Sequence, residues 1–305
     1  MKNAFWMSLR DTIRELQHWI GDEIRTNAAL RRHLQEVSWE PVGEVHVVDS
    51  LIYTDGTNLC GLNCLEISQR RSSKNYAHLW ETLRHNLKNL ILWQQEERVR
   101  EIPLLELSGI KASKSSGPWK TLAEFGRSAA CKDILGSSDA DFQRNMTHSF
   151  PQRGQPFRIW KVWWNGRTYW MNDDGSHHAA VAFVQALEQG RQVSIPCTVT
   201  HISVNPVHAQ EIIQHFFAFV VLVTKRTELN LWDVLTRFEV PWQSAPYTLA
   251  GEHLRLLFFP RLSRKASVAA ETIFRLTLAG KAFDFTQFLR DSISTSLGSA
   301  EDRIR

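Results

Sequence analysis

Apolar residues recur at spacings of three and four between residues 8 and 36, at Leu9, Ile13, Leu16, Ile20 and Ile24. That period predicts a long amphipathic helix with Ser8 placed to cap it. Arg10, Arg14, Arg25, Arg31 and Arg32 fall on the opposite face and read as a solvated surface. A β-prone run at Val45, Val47 and 51–53, an Asp55-Gly56 turn and a second run over 59–67 predict a hairpin. Asn75 is then placed to cap a second helix, whose stripe is Tyr76, Leu79, Leu83, Leu87, Leu90 and Ile91. A short strand is expected over 102–107, a Ser/Gly/Lys-rich linker over 108–118, a helical stretch over 119–135, and a polar segment over 136–155.

The pattern sharpens after residue 156. Residues 157–164 form a β-rich run, Asn165-Gly166 is a hairpin turn, and 168–171 is the returning strand. The break at 172–175 leads into a small-residue helix over 176–189 that ends at Gly190. A strand over 195–204 follows and closes at Asn205-Pro206. Beyond it come a helix over 207–216, an apolar run over 217–223, a helix over 229–238 and a strand over 254–259. The last two helices fall at 268–278 and 284–293, the latter with Asp284 and Gln287 spaced as a capping box. Strands and helices mixed in this order predict an α/β protein of the mixed α+β kind. It divides into a helix-hairpin-helix region (1–98), a central α/β module (99–206) and a C-terminal mixed α/β extension (207–305).

Composition adds little to that picture. Of 305 residues, 43% are hydrophobic and 22% charged, which is ordinary for a folded globular chain. A formal net charge of +4 is compatible with a nucleotide or nucleic-acid partner and too small to require one. No apolar run is long enough for a membrane span, and the strongest, 216–223, is followed by Lys225 and Arg226. No secretory leader is evident, so a cytoplasmic protein with reduced thiols and no membrane partner is expected. Cys60 and Cys64 lack a matching distant pair and read as buried thiols, not half of a zinc site. The 12 tryptophans include Trp160, Trp163, Trp164 and Trp170 on the predicted hairpin. They are read chiefly as a core face, with a base-stacking surface as the alternative.

The segment 160–204 concentrates the candidate chemistry. A hairpin delivers the chain to Asp174-Gly175 and a helix starts at once, so the first-turn N–H groups of Gly175, Ser176, His177 and His178 lack intrahelical partners. Such a terminus carries partial positive charge and accepts a phosphate or carboxylate. A cap by Asp174 or Ser176 on a packing helix is the plain alternative. Asp173, Asp174, His177 and His178 also offer donor types that divalent ions take. With no second cluster in the sequence, no metal site is assigned. No Walker motif, Rossmann glycine triad or G-x-S-x-G elbow is present.

The order strand, Asp-Gly-x-His, Ala-rich helix, Gly, Ile-Pro and strand resembles the ParB/sulfiredoxin-like superfamily, whose DGxHR-type motif opens a helix beneath a small sheet. The likeness covers about residues 157–204 and extends to 100–206 if the first strand is included. It implies a ParB/sulfiredoxin-like core that binds a nucleotide or another phosphate-bearing ligand. Gly175, Ser176, His177 and His178 would be the ligand-binding residues, and His177, His178 and Asp174 the catalytic candidates. ATP or CTP with a divalent ion are the implied ligands, and phosphotransfer, phosphohydrolase or nuclease activity the implied reactions. His178 stands where the pattern has arginine, which weakens phosphate affinity and makes it pH-dependent. Ser176 stands where sulfiredoxin has its catalytic cysteine, which argues against sulfinic-acid reduction. The alternative is a non-catalytic protein- or nucleic-acid-interaction protein with a degenerate site, using the N-terminal helix and the Trp-rich hairpin.

Overall fold

The run Phe-Phe-Ala-Phe-Val-Val-Leu at 216–222 has no polar alternation because both of its faces are buried. Phe216, Ala218 and Val220 enter one hydrophobic core, and Phe219 and Val221 enter another. It is the centre of one of two sheets that organise the protein. The structure, a computed structural model, describes residues 2–42, 74–111, 113–115, 119, 121–150, 156–164, 166–172, 174–249 and 252–301.

The chain begins with α1 (Lys2–Glu36) and, after a 3-10 turn at Lys74–Tyr76, α2 (Ala77–Lys88). Then come β1 (Ile91–Gln95), β2 (Arg100–Pro103), β3 (Gly109–Ile110), α3 (Leu122–Gly126) and α4 (Asp139–Ser149). The central unit is β4 (Phe157–Val162), β5 (Arg167–Trp170), α5 (Ser176–Glu188) and β6 (Ser194–Val204). It is followed by α6 (Pro206–His215), β7 (Phe216–Leu222), α7 (Lys225–Arg237), β8 (Gln243–Leu249) and β9 (Glu252–Pro260). The last elements are α8 (Arg264–Thr277), β10 (Phe283–Asp284) and α9 (Phe285–Glu301). The protein is therefore mixed α+β, as the element pattern predicts.

The first sheet has the order β1-β6-β4-β5-β3, with β2 also paired to β6. β4 and β5 form the expected antiparallel hairpin, with Ile159 opposite Trp170, and β6 lies parallel to β4, with Ile159 opposite Val199. One face of this sheet, through Ile159, Trp170, Ile195, Cys197 and Val199, packs on the alanine-rich side of α5 together with α3 and α4. Gly126 makes that approach close, because a Cβ there would lie 2.4 Å from the Ala180 carbonyl oxygen. The other face, through Val162, Tyr169, Ile202 and Val204, shares a core with α2, α6, α9 and the second sheet. The second sheet has the order β10-β7-β9-β8, and its far face packs on α1, α7 and α8. One core thus runs across residue 206, the expected boundary between the central module and the C-terminal extension.

Several local expectations change. The first helix starts earlier, at Lys2, and its stripe divides: Leu30 and Leu34 are fully buried while Leu16, Ile20 and Ile24 are exposed. Ile91 belongs to β1 and not to the helical stripe. The strand expected over 102–107 is β2 followed by a 3-10 turn at Leu104–Glu106. The helical stretch over 119–135 contracts to α3 and a 3-10 turn at Ala129–Cys131. The polar segment over 136–155 contains α4, whose capping box joins Ser138 and Asp141. The hairpin expected over 45–67, with Cys60 and Cys64, lies outside the described residues, as do Asn165 and Asp173. Among the described residues no helix is long and apolar enough to cross a membrane.

Candidate functional site

α5 starts on Gly175, which has φ +74° and so adopts a backbone that side-chain-bearing residues rarely take. A glycine at this position has no side chain with which to cap the helix, and the N–H groups of the first turn are left to other partners. Asp174, immediately before, turns back on itself: its Oδ1 accepts the Gly175 N–H at 2.8 Å. That bond comes first among the influences that hold the Asp174 carboxyl below the ordinary aspartate range; the charge of Lys114 is next.

Three segments close on this helix start. From one side the 113–115 loop brings Ser113 Oγ to 3.2 Å from Ser176 Oγ and Ser115 Oγ to 2.8 Å from His177 Nε2. From another the end of α4 lies against Gly175, and Ser149 Oγ donates to the Gly175 carbonyl at 3.3 Å. From below, Phe125 sets its ring 5.1 Å from that of His177, and the Cys131 thiol points to the His177 carbonyl. Gly175 and Ser176 are consequently buried, while Asp174 is exposed and His177 and His178 are partly exposed.

The two imidazoles point to different sides. His177 faces Ser115 and Phe125. His178 turns to α4, where Nδ1 lies 2.7 Å from Asn145 Oδ1 and the ring lies on that of His148, with centroids 3.9 Å apart. Burial lowers both of their pKa values below the ordinary histidine value. For His177 the charge of Lys114 adds to this; for His178 the charges of His148, Arg144 and His177 do. Asp174 pulls the other way in each case. Both rings are thus shifted toward the neutral form, and the permanent positive charges that act at the helix start among the described residues include Lys114, on an exposed loop position, and Arg144 on α4.

Among the described residues no group of three or more His, Cys, Asp or Glu side chains could hold an ion, and the divergence of His177 and His178 accounts for this locally. Trp170 is buried in the α5-side core, whereas Trp160 is partly buried and meets Trp93 edge to face at 4.8 Å.

Sequence reading missed Ser113, Lys114, Ser115, Asn145 and His148, all of which reach the helix start from distant segments. It also missed a polar cleft of about 400 Å³ lined by Gln94, Gln95, Glu96, Arg100 and His201. There the Glu96 carboxylate accepts from Arg100 at 3.2 Å and lies 2.6 Å from His201 Nε2. His201 is directly opposite Gln94 across the β1–β6 pair, which explains how these groups meet.

Residues 96–296, from the loop between β1 and β2 into α9, match DUF6685, a family of unknown function. The chain belongs to this family. The match spans the second sheet, every described strand of the first sheet except β1, and every residue of the α5 start. No curated protein and no solved structure matches the chain.

Proposed function

We propose that this DUF6685 protein binds a phosphate group at the start of α5, as part of a nucleotide or another phosphorylated ligand. The reading follows the likeness of residues 157–204 to ParB/sulfiredoxin-like proteins, and phosphotransfer, phosphohydrolase or nuclease chemistry belongs to the same proposal. The observation that carries it is a helix opening on an uncapped glycine under a loop that supplies Ser113, Lys114 and Ser115. First-turn amides and hydroxyls donate hydrogen bonds to phosphate oxygens, and the lysine supplies the charge that the neutral histidines do not. Because Ser176 is 6% exposed, entry requires the 113–115 loop to move aside and close again over the ligand.

Titration calorimetry with inorganic phosphate, ATP and CTP, each with and without magnesium, tests this. Binding that is lost in Lys114→Glu, an exposed change that leaves the core untouched, is the expected result. Absence of heat with all three ligands would end the reading. A second reading, a non-catalytic interaction protein, is favoured by the exposed row Leu16, Trp19, Ile20 and Ile24 on α1. It would come to the front if phosphate binding fails.

A further inference from the structure

Two backbone carbonyls fix the direction of a hydrogen-bond chain that ends on His178. A carbonyl oxygen only accepts, so the Gln185 atom facing the Gly136 oxygen is the amide nitrogen, and Gln185 Oε1 is left as an acceptor. The Asn145 atom that lies 3.3 Å from the Ile134 oxygen and 3.0 Å from Gln185 Oε1 is therefore also an amide nitrogen. Asn145 then has only its oxygen to offer His178 Nδ1, at 2.7 Å, so Nδ1 must carry the hydrogen. Asn145 is fully buried and Gln185 1% exposed, so neither amide is free to turn over without stranding a polar atom. The His178 residue as a whole is partly exposed. Nε2 has no hydrogen-bond partner among the described residues and is not among the buried orphan atoms.

We infer that Asn145, backed by Gln185, is a positioning residue that locks His178 in its Nδ1–H tautomer and so makes Nε2 the proton acceptor of the site. An imidazole held this way has its lone pair on one nitrogen and its orientation set through the other, the arrangement that a general base requires. The groups facing His178 are His148 and Arg144 from α4 and His177 and Asp174 from its own segment. The use of that lone pair rests on the phosphate reading above; the tautomer does not. In the step it serves, a water or hydroxyl attacks the bound phosphoryl group and passes its proton to Nε2. The new P–O bond forms as the bond to the leaving oxygen breaks, and the leaving oxygen takes the electron pair and recovers the proton from the imidazolium.

Long-range ¹H–¹⁵N correlation spectra of the full-length protein labelled at histidine read the tautomer directly. His178 is expected as the Nδ1–H form at pH 7 in the wild type and to lose that preference in Asn145→Leu, with circular dichroism confirming that the variant is folded. Asn145→Asp sets a carboxylate on Nδ1 and should move the His178 titration midpoint upward. Release of inorganic phosphate from ATP or CTP should fall about 100-fold in His178→Gln while phosphate binding persists. An Nε2–H tautomer in the wild type overturns the inference, whatever the phosphate data show. An Nδ1–H tautomer with phosphate bound but release unchanged in His178→Gln overturns the proton-acceptor role. An Nδ1–H tautomer in a protein that binds no phosphate sustains the lock and removes the phosphate reading alone.

Discussion

The backbone of Gly175 is wedged against Ser149: a Cβ on Gly175 would lie 3.1 Å from the Ser149 Cα, and Ser149 Oγ donates to the Gly175 carbonyl. The helix start and the end of α4 are therefore fitted to each other at a position where both backbone angle and space favour glycine.

Gly175→Ala should destabilise the protein by about 1–3 kcal/mol, since it combines a left-handed backbone with a close contact. Gly190, at φ +63° with nothing within 4 Å, provides the control. Gly190→Ala meets the angle cost alone and should lose less. Urea unfolding midpoints measure both, and equal losses would show that Ser149 does not constrain the site.

Gly126→Ala tests the seat of α5 on α3. A Cβ there meets the Ala180 carbonyl oxygen at 2.4 Å and the Val184 side chain at 2.7 Å. Helix propensity favours alanine by up to about 1 kcal/mol, but overpacking against backbone costs about 1–3 kcal/mol. A net loss of stability is the expected outcome, and a stabilised variant would mean that α3 shifts readily.

Glu96 gives a pH dependence with a defined sign. Burial alone would raise its pKa, but hydrogen bonds from His201 and Arg100 outweigh it and hold the carboxyl below the ordinary glutamate value. A depressed folded-state pKa stabilises the native protein above the unfolded-state value, and that stabilisation is lost as pH falls through the folded value. Melting temperatures of wild type and Glu96→Gln should therefore converge as pH drops below the ordinary glutamate range. A constant gap across that range would exclude the ionised pair as its source.

Cys131 and Cys197 are buried free thiols, and burial raises their pKa to about 11 and about 12. The thiolate is the reactive form, so native protein should resist alkylation at both positions. Mass mapping after iodoacetamide treatment, with and without urea, checks this. Rapid modification of Cys197 in the native state would contradict its place beneath α5.

The central unit was legible because its signals are local. Alternation over 157–162, a Gly that ends α5 and an Ile-Pro entry into β6 each act within a few residues. Ile91 fits the helical stripe as well as it fits β1, because an apolar residue at that spacing suits either the last turn of a helix or the first residue of a strand. The helix in the polar segment was missed because only Phe142 among its buried side chains is apolar, and its buried Asn145 looks like surface in sequence. At the site, Asp174 to His178 are contiguous and could be named together. Asn145, His148 and the 113–115 loop meet them across roughly 30 to 60 residues of chain, and no spacing rule reports such contacts.

The strand β6 sits between β4 on one side and both β1 and β2 on the other. Ile91 is paired with Val204 and Ile102 with Ile195, so the first strands of the sheet wait for a partner made more than ninety residues later. Among the described residues β6 is the strand partner of both β1 and β2, so during synthesis this pairing cannot form until β6 has left the ribosome. Such long-range pairing slows folding and exposes strand edges to other chains. The nascent protein therefore carries these unpaired segments until residue 204 is free, and slower translation across 104–193 would lengthen that exposure.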